Sequence, residues 1–203
     1  MLSRISRRML LGLLGAAAAR RADAAVPTPP QTEGPFSPPP EQRFADTDWD
    51  LVKIEGAVRE AGGEVLHLSG RVLGREGAPL AEAPVEIWQC DASGRYLHRM
   101  DRQPGERDTA FQGFGRTVTD AEGRYRFRTI RPVPYPGRTP HIHARVGRPD
   151  GSWLTTQVYL EGHPLNRTDF LFRRLGRRGQ RAASIEPARR ADGDLDAAFD
   201  FVV

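Results

Sequence analysis

The chain has 203 residues, 28% of them charged and 38% hydrophobic, with a formal net charge of +4. That excess sits at the start: residues 1–24 hold five Arg and one Asp, and without them 25 basic and 25 acidic residues remain. A neutral remainder with no basic ladder interleaved by aromatics excludes nucleic acid as a partner, and a single cysteine, Cys90, excludes an internal disulfide framework.

Residues 1–24 have the make-up of a cleavable export signal: basic Arg4, Arg7 and Arg8, an apolar run from Met9 to Ala19, and a small-residue site at Ala22-Asp23-Ala24. The run falls well short of the ~20 residues that a bilayer span needs, so no stable membrane insertion is expected once it is removed. The adjacent Arg7-Arg8 point to the twin-arginine route, which exports folded proteins, and so to a periplasmic or extracellular location. Residues 25–60 form a Pro-rich arm and lead-in. Its "VPTPPQTEGPFSPPP" carries seven prolines in fifteen positions and favours extended backbone, laid over a surface or left mobile.

From 61 to 203 the pattern changes to short alternating runs between Gly, Pro and Asp turns. "EVLHLSGRVLG", "PVEIWQCD", "GFGRTVTD", "GRYRFRTI", "PHIHARVG" and "WLTTQVYL" predict strands. Residues 91–94, 120–123 and 148–151 predict hairpin turns. "TDFLFRRLG" predicts one short helix, "AAFDFVV" a last strand, and the arginines of 173–181 a solvated face. The fold class expected is all-β: an antiparallel β-sandwich with at most one or two short helices, forming a single domain. Cys90, in the apolar run "VEIWQC", is expected to be buried. No subunit interface is legible.

The chemistry concentrates in "VPYPGRTPHIHARV", residues 133–146. In a strand, residues i and i+2 share a face, so His141 and His143 point the same way and can bind one metal ion, zinc or iron. Tyr135 is close enough in sequence to join them. A phenolate ligand at neutral pH needs a strongly Lewis-acidic centre, because free Tyr has a pKa of about 10.

These residues carry a resemblance. "TEGPF", "LSGRVLGREGAPLAEAPVEIWQCDASGRY", "TDAEGRYRFRTIRPVPYPGRTPHIHARV" and "LTTQVYL", spanning Thr32 to Gln157, resemble the intradiol ring-cleavage dioxygenases. The resemblance implies a non-haem iron(III) enzyme that opens a catechol-type ring between its two hydroxyls with O2, giving a cis,cis-muconate-type dicarboxylate. It implies one Fe(III) per chain, held by Tyr96, Tyr135, His141 and His143, with Tyr135 giving way as substrate enters. It further implies that Arg138 offsets negative charge on the ring and that Gln157 partners Arg138. The segment between Tyr135 and His141 is shorter than is usual in catechol and protocatechuate enzymes, which implies a rebuilt, more open pocket wall.

Two other readings fit parts of the chain. A prealbumin-like binding module at the cell surface would share the strand spacing, and a zinc hydrolase would use His141 and His143 with Asp91 or Asp120. Of the remaining histidines, His67 is expected on a sheet face and His163 in solvent, and His98 is given no site role, although two residues past Tyr96 it has the position to line the pocket mouth.

Overall fold

The computed structural model describes residues 26–203; the expected export segment, 1–24, lies outside them. Six strands follow the arm: β1 (Val65–Leu73), β2 (Pro84–Trp88), β3 (Phe114–Val118), β4 (Arg124–Ile130), β5 (His141–Gly147) and β6 (Trp153–Leu160). Two short helices, α1 (Phe170–Arg174) and α2 (Gly176–Ala182), precede the short strands β7 (Ser184–Ile185), β8 (Ala188–Arg189), β9 (Leu195–Ala198) and β10 (Phe201–Val202). No helix among the described residues is long and apolar enough to cross a membrane.

The strands form two sheets. In one, β1 pairs antiparallel with β4 and parallel with β9 and β10, and β8 lies against β9. In the other, the order is β3-β2-β5-β6-β7, antiparallel except for the final pair. Period-two alternation decides which side chains enter the space between them. Leu66, Leu68 and Phe127 of the first sheet join Val85, Ile87, Ile142, Ala144, Val146 and Val158 of the second in one buried cluster. Each of the larger of these side chains contributes about 1.5–3 kcal/mol on burial. The all-β sandwich expected from the pattern is the fold observed.

The turns at 91–94, 120–123 and 148–151 form, each closed by a bond from the glycine N–H to the first residue's carbonyl. The first is not a hairpin between neighbouring strands, however. It opens a long excursion, residues 89–113, between β2 and β3. The expected last strand is also divided. Asp200 turns its carboxylate onto the Arg71 N–H at 2.8 Å, replacing a ladder bond between β9 and β10. The Tyr125 hydroxyl donates to the Phe199 carbonyl at 2.7 Å, and Gly70 leaves the room this backbone needs. The single helix expected from "TDFLFRRLG" stops at Arg174, and a second begins at Gly176, which has φ +62°. α2 buries no residue, and its arginines are exposed, as a solvated face requires.

Cys90 is 1% exposed, and burial pushes its thiol up to about 12. The expected result is that the folded protein resists a thiol reagent at pH 8, because the thiolate is the reactive form. Labelling should appear only with unfolding, and full labelling of folded protein would contradict this environment.

Candidate metal centre

Since β5 sends Ile142, Ala144 and Val146 into the core, His141 and His143 project from the outer face of the second sheet. Their neighbours there are fixed by register. His143 lies between Trp88 on β2 and Gln157 on β6, while His141 faces Tyr159. The Trp88 indole stacks on the His143 ring, with centroids 5.0 Å apart and planes 6° from parallel. An outer face would ordinarily be wet. Here both histidines are buried, at 1% and 2% exposure, because three segments roof them.

The first roof segment is the 89–113 excursion, which carries Tyr96. Asp101 accepts from the Tyr96 N–H at 2.7 Å and from Arg95 Nε at 3.2 Å, so the tyrosine backbone is pinned. The second is the stretch before β5. Pro136 and Gly137 form a tight turn closed by the Arg138 N–H on the Tyr135 carbonyl at 2.9 Å, with Gly137 at φ +82° as the turn requires. That turn folds Tyr135 and Arg138 back beside the histidines. Tyr135 and Tyr96 meet edge to face at 5.4 Å, Tyr135 lies 5.5 Å from His141, and Tyr96 lies 5.9 Å from His143.

The third segment is the arm, which lies across the site. Gln31 accepts from the Tyr159 hydroxyl at 2.6 Å and donates to the Gln157 carbonyl at 3.1 Å. Gln157 Nε2 donates in turn to the Thr32 carbonyl at 3.0 Å. Phe36 stacks on Tyr96 at 5.1 Å. Gly34, at φ +77°, passes so close that a Cβ there would stand 3.1 Å from His143 Cε1. Gly34→Ala is therefore expected to lift the arm, lowering stability by about 1–3 kcal/mol through backbone strain and contact. It should also weaken metal retention. Unchanged melting and metal content would show that the arm does not brace His143.

The donor atoms suit a metal ion. His141 Nδ1 donates to the Thr139 carbonyl at 2.7 Å, which leaves its Nε2 with a free lone pair. That Nε2 stands 3.1 Å from His143 Nε2. Two nitrogens each about 2.1 Å from one ion at right angles are about 3 Å apart. Burial pulls His141 down to about 3 and holds His143 well below its ordinary value, so both imidazoles are neutral, the form that ligates. The Tyr96 hydroxyl is buried without a hydrogen-bond partner. Burial is the largest cause that raises both tyrosine hydroxyls above their ordinary range, and the Arg138 guanidinium works against that rise at each. A strongly Lewis-acidic cation would reverse the burial effect and satisfy the orphaned oxygen, so these residues fit ferric iron.

No cluster of three or more His, Cys, Asp or Glu suited to a metal occurs among the described residues. The carboxylates of the zinc-hydrolase reading are committed elsewhere. Asp91 accepts from the N–H groups of Ser93, Arg95 and Asp108, and Asp120 from those of Glu122 and Arg124.

Arg138 is fixed on three sides. Its Nη1 donates to the Tyr135 hydroxyl at 3.2 Å, its Nη2 to Gln157 Oε1 at 2.6 Å, and its Nε to Asp169 Oδ2 at 2.8 Å. The sequence pattern gave Asp169 no part in the site; its only signal is an Asp before an apolar run, the mark of a helix N-cap. Trp88, Tyr159 and Gln31 were equally silent. Of the other histidines, His67 pairs with Asp194 at 2.8 Å on the first sheet, and His98 lies 5.9 Å from Phe36 beside the site. His163 is half-buried rather than solvated, because its Nδ1 accepts from Leu165 N–H at the start of a short 3-10 turn, Pro164–Arg167.

Known proteins resemble this chain in sequence and fold. A family model described as Dioxygenase matches residues 36–203. The protocatechuate 3,4-dioxygenase beta chain of Burkholderia cepacia is 44% identical over 133 residues, 62% of this chain and 57% of that one. The 6-chlorohydroxyquinol 1,2-dioxygenase of Cupriavidus pinatubonensis is 33% identical over 162 residues, 70% of this chain and 55% of that one. The chain thus spans about half the length of these curated relatives. Among solved structures, the dioxygenase domain of a dioxygenase carbohydrate-binding protein fusion from Streptomyces sp. SirexAA-E superposes with a TM-score of 0.68 at 35% identity. The match covers 88% of this chain and 98% of that one. With the sandwich, the buried histidine pair and these matches together, the chain belongs to the intradiol ring-cleavage dioxygenase family.

Proposed function

We propose that this protein is an iron(III) dioxygenase that cleaves a catechol-type diol between its hydroxyls with O2, releasing a cis,cis-muconate-type dicarboxylate. Tyr96, Tyr135, His141 and His143 would hold one iron per chain. Iron(III), when bound, supplies a Lewis-acidic centre that draws both hydroxyl oxygens of a catechol and makes the ring reactive toward O2. The protein's own groups do the rest. His141 and His143 present neutral lone pairs, one oriented by the Thr139 carbonyl and the other by the Trp88 stack. Tyr135 is the more exposed of the two tyrosines and its oxygen lies beside Arg138, so once held as phenolate it would be placed to take a proton from an entering diol. Arg138, always charged, stabilises negative charge that builds on the ring and its oxygens. Phe36, Trp88 and the arm keep water from the histidine side of the site.

The observation that carries this reading is the pair of Nε2 atoms 3.1 Å apart with an unpartnered buried tyrosine hydroxyl beside them. A prealbumin-like binding module accounts for the sandwich but gives no reason to bury such donors together. To test it, the purified protein is loaded with ferric iron, its visible spectrum recorded, and a panel of catechols added under air. A phenolate-to-iron band that shifts on diol addition, with uptake of one O2 per diacid formed, is expected. A colourless protein that binds zinc in preference and consumes no O2 would overturn it.

We also propose that residues 1–24 direct export by the twin-arginine route and are removed. In support, the chain is tied to the sandwich soon after Ala24. The Thr28 N–H donates to the Val202 carbonyl at 3.0 Å, and the Val202 N–H to Thr28 Oγ1 at 2.9 Å. N-terminal sequencing of exported protein should begin at or near Ala25; a retained Met1 would contradict this.

A further inference from the structure

We propose that Asp169 is the positioning residue for Arg138: a buried carboxylate, set at the N-terminus of α1, that fixes the guanidinium so that its Nη1 edge faces the tyrosines and histidines. This rests on the reading of Arg138 given above. Asp169 is 1% exposed, and the two oxygens of its carboxylate have separate tasks. Oδ1 accepts from the Phe172 N–H at 2.9 Å and caps the helix. Oδ2 accepts from the Thr139 N–H at 3.0 Å and from Arg138 Nε at 2.8 Å. The same carboxylate therefore holds the backbone two residues before His141 and the side chain next to it.

A guanidinium is planar, so contacts at Nε and at one terminal nitrogen together leave the group a single orientation. With Nε on Asp169, Nη2 falls on Gln157 Oε1 and Nη1 on the Tyr135 hydroxyl. Gln157 alone would not do this, because a single contact at one terminal nitrogen leaves the plane free to rotate. Nor is the carboxylate spare. The side chain of Asp169 is fully buried and that of Arg138 is 11% exposed, so each would be an uncompensated buried charge without the other. α1 gains rigidity from Phe172, which packs edge to face on Tyr159 at 4.9 Å, and Tyr159 lies opposite His141 in the sheet. The helix N-terminus thus sits on the same sheet that carries the histidines.

Asp169→Asn separates positioning from folding. Asn caps helices as well as Asp does, so Oδ1 can still hold the Phe172 N–H. The amide nitrogen then replaces Oδ2 and faces two donors, Thr139 N–H and Arg138 Nε–H, which it repels. Two measurements follow. In metal-free protein labelled at arginine Nε, the Arg138 Nε–H, assigned by its absence in Arg138→Gln, should be protected from solvent exchange. In Asp169→Asn it should exchange at least about tenfold faster. In iron-loaded protein, Asp169→Asn should lower kcat by about 10- to 100-fold, with KM changed by less than about threefold. In an Arg138→Gln background the same substitution should add less than about twofold. An unprotected Nε–H, protection unaltered by Asp169→Asn, or an equal kcat loss in the Arg138→Gln background would overturn the proposal. If the wild-type protein shows no catechol turnover at all, the functional reading fails, and the exchange measurement still judges the role of Asp169.

Discussion

Tyr96→Phe is expected to raise the stability of the metal-free protein while removing most of its activity once iron is added. The two effects have one cause. The Tyr96 hydroxyl is buried without a partner, and an unsatisfied buried hydroxyl costs about 1–3 kcal/mol. Its ring is held by packing alone, stacked on Phe36 and edge-on to Tyr135 and His143, and a phenyl group keeps all of those contacts. Removing the oxygen therefore relieves a penalty in the metal-free protein. With iron, the same oxygen is a proposed anionic ligand, so its loss should weaken the visible band and lower kcat/KM by about a hundredfold or more, roughly 3 kcal/mol of barrier. Thermal melting without metal and spectra with it measure the two halves. A Tyr96→Phe protein that melts lower without metal, or keeps its band with metal, would remove Tyr96 from the proposed site.

Arg138→Gln should act in the opposite sense on stability. It deletes the cation that compensates the fully buried Asp169 carboxylate, leaving that charge with only two backbone donors. Breaking a buried pair on one side costs about 3–5 kcal/mol, so the melting temperature should fall well below that of the parent. Turnover should fall by about 10²–10³, the usual cost of removing one group that stabilises developing charge. The ferric band should survive, since the proposed ligands are untouched. Loss of the band together with turnover would mean that Arg138 shapes the metal site itself rather than the substrate's charge.

How much of this was legible in the sequence follows from the range of each interaction. Strands β1–β6 are written in a local code, alternation between Gly, Pro and Asp turns, and the sandwich follows from it. "HIH" shows two imidazoles on one face for the same reason. Tyr96 carries no such local mark, and only the resemblance singled it out, while for Tyr135 the one local signal is its closeness to the histidines in sequence. The turn at Pro136-Gly137 and the pinning of Tyr96 by Asp101 bring them to the histidines in space.

The arm's prolines announced extended backbone but not its docking, which depends on Gln31, Thr32 and Gly34 meeting residues more than a hundred positions away. Asp169 was hidden because a helix cap and an arginine partner are the same residue type, and one carboxylate serves both. The division of the last strand lay beyond a propensity argument too, since Asp200 breaks it only by reaching the Arg71 N–H of another strand.

The central claim is that two tyrosines and two histidines from separate segments share one iron. Anomalous diffraction at the iron edge, from crystals of iron-loaded protein, tests it most directly. The account predicts one strong peak per chain, about 2 Å from Nε2 of His141 and His143 and from the hydroxyl oxygens of Tyr96 and Tyr135. A peak elsewhere in the chain, or either tyrosine oxygen more than about 3 Å from the metal in substrate-free protein, would contradict it.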